Sequence, residues 1–161
     1  MGGPGGEAGI AGALVYLYVG SSDVGRDIDF YRRVLGAEVM WRFRAFGAEV
    51  AALRVGEGPL FLLADHRPAG SCLPIWSAPD LDAPAAALRA GGWHEKSVRV
   101  EVPDGPCLVF ADPSGNQVAL LRPDRPRALE HAWQDPDNER AVREQEGAWQ
   151  DPDDVRAVRE Q

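Results

Sequence analysis

The order of predicted elements repeats once along the chain. The segment "GALVYLYV" (Gly12 to Val19) is rich in β-branched and aromatic residues and predicts a strand. Ser21 to Asp23 offer N-caps for an amphipathic helix that ends at Gly36. Three short apolar segments, "EVMWRFRAF", "EVAALRV" and "PLFLLAD", are separated by glycine-containing turns and predict three further strands. The first half therefore has the order βαβββ.

The second half has the same order. "CLPIWSA" predicts a strand, "DLDAPAAALRAGG" predicts a helix that Gly91 and Gly92 terminate, and "SVRVEV", "CLVFAD" and "NQVALL" predict three strands. A chain of 161 residues with 45% hydrophobic residues suits one compact domain, or two small modules that share one core. The sequence predicts an α+β fold.

Two sequence motifs connect this pattern of elements with a known family. "DIDFYRRVLGAEV" (Asp27 to Val39) and "VFADPSGNQVALL" (Val109 to Leu121) resemble the opening helix and the closing strand pair of the vicinal oxygen chelate superfamily. That superfamily includes glyoxalase I, extradiol dioxygenases and bleomycin-resistance proteins. The resemblance covers roughly residues 12–122 and implies two βαβββ modules that form a curved mixed sheet around a cavity. The capping residues of the chain after them predict a short helical C-terminal tail.

The chain divides accordingly into four parts. We expect a disordered N-terminus over residues 1–11, modules over 12–66 and 67–124, and an acidic tail over 125–161. Family modules pair within one chain or between chains, and the sequence leaves this open. The resemblance also implies a homodimer.

The positions where catalytic family members carry metal ligands hold apolar residues in this chain. By resemblance, Ala119 stands where a ligand Glu is common, Phe61 at the matching place in the first module, and Leu73 where a His is usual. A divalent metal needs several N, O or S donors that converge at about 2 Å. We therefore expect no metal and no cofactor.

The remaining residues predict an apolar, aromatic cavity. Strand residues alternate between the two faces of a sheet, so placing Ala119 inward predicts the other inward residues. Trp41 is added as a residue at the rim. The predicted ligand-binding residues are Tyr16, Tyr18, Trp41, Phe61, Leu73, Ile75, Gln117 and Ala119. Such a lining suits a small aromatic or amphipathic ligand.

No residue is predicted to be catalytic. His66, His94 and His131 fall in predicted loops or in the tail, where solvated imidazoles are common. The sequence favours a metal-free small-molecule-binding protein over an enzyme. One alternative is an enzyme of the same fold, either a metal-dependent lyase, isomerase or dioxygenase, or a metal-free one that uses Tyr16, Tyr18 or His66 as acid or base. The second alternative is a partner-binding module that acts through the tail.

The net charge of −8 is concentrated in the tail, where residues 130–161 hold ten acidic and four basic side chains. No basic stripe is present to attract a phosphate backbone, so nucleic acid is not expected as a partner. The sequence has neither a signal peptide nor an apolar run of about 20 residues. We therefore expect a cytoplasmic protein without membrane contact.

The tail contains a duplicated unit of 16 residues. "EHAWQDPDNERAVREQ" (Glu130 to Gln145) recurs as "EGAWQDPDDVRAVREQ" (Glu146 to Gln161). In each copy Asp-Pro-Asp predicts the start of a short helix, with Asp135 or Asp151 as N-cap. A tryptophan precedes each cap, and the units either dock on the body or on a partner subunit, or remain solvated.

Overall fold

The computed structural model describes residues 12–45, 47–96 and 99–134. The predicted disordered N-terminus and the helices predicted to start at Asp135 and Asp151 lie outside these ranges. Among the described residues, no helix has the length and apolar character needed to cross a membrane.

Nine strands and three helices make up the described chain. The strands are β1 (Leu14–Gly20), β2 (Glu38–Ala45), β3 (Ala48–Arg54), β4 (Leu60–Ala64), β5 (Cys72–Ser77), β6 (His94–Glu95), β7 (Val100–Val102), β8 (Gly105–Ala111) and β9 (Gln117–Leu121). The helices are α1 (Val24–Leu35), α2 (Asp82–Ala90) and α3 (Ala128–Gln134). The predicted βαβββ repeat is confirmed, except that the strand predicted over "SVRVEV" is the shorter β7 and that a further two-residue strand, β6, precedes it. Both pair with β8.

All the strands belong to one mixed, curved sheet in the order β2-β3-β4-β1-β5-β9-β8-β6, with β7 also on β8. In each module the first strand pairs in parallel with the last, as β1 with β4 and β5 with β9. The modules join within this chain through the antiparallel pair β1–β5, in which Tyr18 lies opposite Leu73. The α+β fold predicted from the sequence is confirmed.

Helix α1 begins and ends where its capping residues predict. The Asp23 side chain accepts a hydrogen bond of 2.9 Å from the Arg26 amide, and Gly36 adopts φ 65° at the C-terminus. Val24 and Ile28 are buried against the sheet. Leu35, in the last turn of the helix, is 50% exposed.

The two faces of the sheet have different coverings. Helices α1 and α2 each cover one module on what we call the convex face, and each packs on its own apolar cluster. The opposite, concave face carries the largest cluster in the described chain. Its members are Tyr18, Met40, Trp41, Phe43, Val50, Ala52, Leu62, Ala64, Leu73, Ile75, Val102, Cys107, Val109, Ala119, Leu121, Leu129 and Ala132.

Helix α3, at the start of the tail, packs on this concave face. Leu129 and Ala132 are buried in the same cluster as the β2 aromatics. The Trp133 ring meets the Phe43 ring edge to face, with centroids 5.7 Å apart. The first part of the tail therefore docks on the body, and it fills much of the space that a curved sheet would otherwise leave open.

Candidate ligand-binding site

A cavity of about 490 Å³ remains at one end of the concave face. It lies between the start of β1, the β3–β4 turn, the β7–β8 turn and the chain that leads into α3. Its lining residues are Leu14, Val15, Tyr16, Arg54, Gly56, Glu57, Gly58, Pro59, Leu60, Asp104, Leu121, Pro123, Pro126, Arg127 and Glu130. We call this cavity the end pocket. Its volume is in the range of small-molecule sites.

The end pocket contains a buried tyrosine–carboxyl pair. The Tyr16 hydroxyl donates a hydrogen bond to Asp104 Oδ2, and the Ala128 amide donates one of 3.3 Å to Asp104 Oδ1. Burial raises the pKa of both groups, and the Asp104 carboxylate raises that of Tyr16 further. Each of the two groups therefore keeps its proton up to a higher pH than it would in water.

An ion pair at the start of α3 forms another part of the wall. Arg127 Nε donates a hydrogen bond of 2.8 Å to Glu130 Oε2, and the Glu130 side chain is buried. Hydrogen bonds from the Arg127 guanidinium lower the pKa of Glu130. Glu130 thus stays ionised at neutral pH, while Arg127 places its charge at the pocket surface.

The opposite end of the concave face is closed by the loop after β4. The Tyr18 hydroxyl and His66 Nε2 are hydrogen-bonded at 2.6 Å. The Arg67 guanidinium carbon lies 4.7 Å from the centroid of the Tyr18 ring. Tyr18 has no exposed surface, so this end offers a ligand no direct path to the tyrosine.

Most of the predicted ligand-binding residues share the concave face, but only one of them lines the end pocket. Tyr16 does so, and with Tyr18 and Ile75 it also lines a much smaller cavity of about 20 Å³. Trp41, Leu73 and Ala119 are buried in the concave cluster, so Trp41 is not at a rim. Gln117 is half-buried at the start of β9, at the same strand parity as Ala119. Whether any of them contacts a ligand stays a prediction.

The predicted orientation of Phe61 is wrong. In the parallel pair β1–β4, Tyr18 lies opposite Leu62, so Leu60 and Leu62 share the concave face. Phe61 packs on the convex face, with its ring 5.7 Å from the Tyr31 ring. An alignment error of one residue inverts the face of every side chain in a strand.

The donor set of the concave face does not fit a divalent metal. The central strands present Leu62, Leu73 and Ala119 there, which supply no ligand atom. Across the described ranges, no three His, Cys, Asp or Glu side chains come close enough together to hold a metal ion.

The sequence did not predict the polar groups of the end pocket. Asp104 precedes Gly105 in "VPDGP", which predicts only a tight turn. Arg127 and Glu130 belong to the tail. Their place in the pocket depends on the docking of α3, for which the sequence carries no local signal.

The alternate arginines of β2 contact a carboxylate of the protein itself. Arg42 and Arg44 both form ion pairs with Glu49 on the neighbouring strand β3. Burial would raise the pKa of Glu49, but hydrogen bonds from the two guanidinium groups lower it overall. These arginines are therefore engaged with Glu49 and lie outside the end pocket.

The raised pKa of Asp104 predicts a definite pH dependence. A carboxyl whose pKa is higher in the folded state stabilises the fold at low pH, and this contribution is lost as the pH rises through the folded-state pKa. Asp104→Asn stays neutral and keeps an acceptor for Tyr16. We expect its free energy of unfolding to rise relative to wild type between pH 4 and pH 7, by about 1.4 kcal/mol per pKa unit.

Urea unfolding of both proteins at the two pH values measures this difference. Asp112→Asn is the control of opposite sign, because hydrogen bonds from Asn116 lower the pKa of Asp112. The Asp112 variant should lose stability relative to wild type over the same interval. If both variants gained stability relative to wild type over this interval, or both lost it, the raised pKa of Asp104 would be contradicted.

Comparison with known proteins assigns the family. The model of the Glyoxalase/Bleomycin resistance protein/Dioxygenase superfamily matches residues 13–120, which span both modules. The chain therefore belongs to this superfamily. Among curated proteins, no sequence matches the chain.

Solved structures agree with the fold. A methylmalonyl-CoA epimerase from Mycobacterium tuberculosis is similar at a TM-score of 0.60 and 17% identity, covering 71% of this chain and 89% of its own. A methylmalonyl-CoA epimerase in complex with methylmalonyl-CoA and NH4+ gives 0.58 at 18% identity, covering 71% and 96%. At such low identities, the likeness concerns the fold alone.

Proposed function

We propose that this protein binds a small aromatic or amphipathic molecule reversibly, in the end pocket and without a metal. The main support for this proposal is a cavity of about 490 Å³ that combines an apolar wall with a few buried polar groups. The ligand's apolar part would lie against Leu14, Leu60 and Leu121. Its polar group would face the Tyr16–Asp104 pair or the guanidinium of Arg127.

The filling of the remaining concave face supports this placement. Trp41, Leu73 and Ala119 are at most 3% exposed, so a ligand there would have to displace packed side chains. The end pocket requires no such displacement. Leu62, Leu73 and Ala119 on the concave face supply no metal ligand, which supports the metal-free part of the proposal.

The first test uses 8-anilinonaphthalene-1-sulfonate, a flat aromatic anion that fluoresces in apolar sites. We expect saturable binding to wild type and at least a tenfold weaker affinity in Leu14→Trp, because the larger ring would occupy the pocket. Fluorescence titration measures both affinities. Near-ultraviolet circular dichroism checks that the variant keeps native packing.

Val34→Lys is the matched control. Val34 is 55% exposed on the outer side of α1, beside the exposed Phe30, and together they offer the dye an alternative apolar surface. If Val34→Lys abolishes the dye signal while Leu14→Trp leaves it unchanged, the dye binds on α1 and the proposed site is wrong.

A second candidate function is proton transfer. The observation that favours it is the Tyr16–Asp104 pair, whose raised pKa values place a proton-holding group inside a pocket. Since the similar structures include methylmalonyl-CoA epimerases, methylmalonyl-CoA is a reasonable first substrate to offer. Deuterium uptake from D2O into this thioester, lost in Asp104→Asn, would favour the enzyme over the binding protein.

The proposal has two further parts, a homodimer, which the family resemblance implies, and a cytoplasmic location, which we expect from the sequence. Sedimentation velocity tests the first part and cell fractionation the second. If the purified protein stays monomeric at concentrations well above those in the cell, the dimer is excluded.

A further inference from the structure

The contacts of α3 are repeated in the sequence of the tail. Four α3-region residues meet the body or line the end pocket: Arg127, Glu130, Ala132 and Trp133. Sixteen residues further on, the chain carries Arg143, Glu146, Ala148 and Trp149. The same side chains therefore recur at the same spacing, in a segment that the structure does not describe.

We propose that the surface under α3 is an interaction site with two occupants from the same chain, α3 itself and the segment Arg143 to Gln150. We call this surface the α3 seat and define it by Trp41 and Phe43 of β2. This proposal does not rest on ligand binding in the end pocket. It concerns what covers the sheet and forms part of the pocket wall.

The residues that differ between the two segments explain why α3 is the occupant observed. Leu129 is 4% exposed in the concave cluster, and its counterpart is Gln145. A buried glutamine loses the apolar contacts of leucine and requires hydrogen-bond partners. The second segment therefore binds the α3 seat more weakly, and it takes over only when α3 is impaired.

The connecting chain permits the exchange. Docking of the second segment would lengthen the connection from β9 by 16 residues, and the entropic cost of a loop grows only with the logarithm of its length. The side chains at the pocket would be preserved, because Arg143 and Glu146 would replace Arg127 and Glu130. The duplication thus supplies a second copy of one wall of the pocket.

A double-mutant cycle on the full chain tests the proposal. Trp133→Ala removes the ring that contacts Phe43 and should lower the midpoint of thermal unfolding by about 3 °C, since the second segment replaces α3 in part. Trp149→Ala alone should change it by less than about 1 °C. The double variant should fall by clearly more than the sum, which is the signature of coupled sites.

A rescue experiment has a matched control. In the Trp133→Ala background, Gln145→Leu gives the second segment the missing leucine and should restore the lost stability. Gln161→Leu makes the same change at the corresponding residue of the second copy, outside the segment Arg143 to Gln150, and should restore nothing. Additive losses in the cycle, or equal effects of the two glutamine variants, would overturn the proposal.

The rescue must also be independent of protein concentration. Exchange within one chain leaves the rescued protein with the same subunit number as wild type, which sedimentation velocity measures. If rescue requires association of two molecules, the occupant comes from a second copy, and the assignment to the same chain is overturned.

Discussion

Gly105→Ala is expected to destabilise the protein by about 3 kcal/mol or more, which is a large part of the stability of a typical domain. Gly105 has a φ of 149°, which residues with a side chain rarely adopt. A Cβ at this position would overlap the carbonyl oxygen of Arg122 and lie 3.0 Å from the amide of Asp124. Both neighbours are backbone atoms, so no rotamer change relieves the overlap.

The consequence for the site is direct, because Gly105 follows Asp104 in the β7–β8 turn. The close approach of the chain at Arg122 holds this turn beside the end of β9 and places the Asp104 carboxyl against Tyr16. Any folded fraction of Gly105→Ala should therefore also lose affinity for the dye in the end pocket. Chemical unfolding and dye titration on the same sample measure both effects.

Gly25→Ala is the control for this prediction. Gly25 lies in α1, where a Cβ would meet its nearest atom, Nη2 of Arg42, at 3.5 Å. Alanine is the better helix former, so the stability should stay unchanged or rise by up to about 1 kcal/mol. A Gly105→Ala protein as stable as Gly25→Ala would show that the turn has another conformation.

The local signals in the sequence predicted the elements well. Helix α1 was predicted from the cap at Asp23 and the stop at Gly36, and both make the backbone contacts that define those ends. The residues of "DPSGN" are those that favour a turn, and Asp112 Oδ1 accepts hydrogen bonds from the amides of Ser114 and Asn116 there. Such contacts span a few residues, so the sequence alone determines them.

Strand faces were less predictable. The placement of Phe61 relied on an alignment of "PLFLLAD", which is apolar at five positions in a row and carries no alternation. Both faces of β4 are covered, by α1 on one side and by the concave cluster on the other. A strand buried on both faces loses the pattern that would reveal its register.

The location of the end pocket could not be predicted because it depends on a contact between distant parts of the chain. The capping residues of the tail predicted helices from Asp135 and Asp151, while the described helix is α3, which ends at Gln134. Short helices gain most of their stability from packing, and α3 gains it from β2. Without that contact, the concave face would be an open cavity lined by the predicted aromatics.

Both ends of the concave face depend on a glycine. Gly20, at the end of β1, lets the chain pass so closely at Pro68 that a Cβ would overlap the proline carbonyl oxygen. This crossing brings His66 and Arg67 onto Tyr18. At the end pocket, the close approach of the chain at Gly105 brings Asp104 to Tyr16. The sheet is therefore closed over Tyr18 and open over Tyr16, which restricts ligand access to one end.

Ala119→Glu is expected to destabilise the protein by about 4 kcal/mol at pH 7. Ala119 is fully buried in the concave cluster, and a carboxylate there would have to stay charged without water or take up a proton. Protonation of a buried Glu shifted by about 3 pKa units costs about 4 kcal/mol at neutral pH. Since this cost vanishes when the group is neutral in both states, the variant should recover much of its stability near pH 4, which urea unfolding at the two pH values measures.

Gln117→Glu places the same charge two residues earlier in β9, at a half-buried position, and should cost about 1 kcal/mol or less. The comparison of the two variants tests whether the concave face is filled by side chains or open to water. In an open cavity both glutamates would be hydrated, and the two variants would unfold alike at pH 7. If Ala119→Glu instead became more stable on addition of manganese, iron(II), nickel or zinc, the carboxylate would have found further ligands, and the apolar description of the concave face would be wrong.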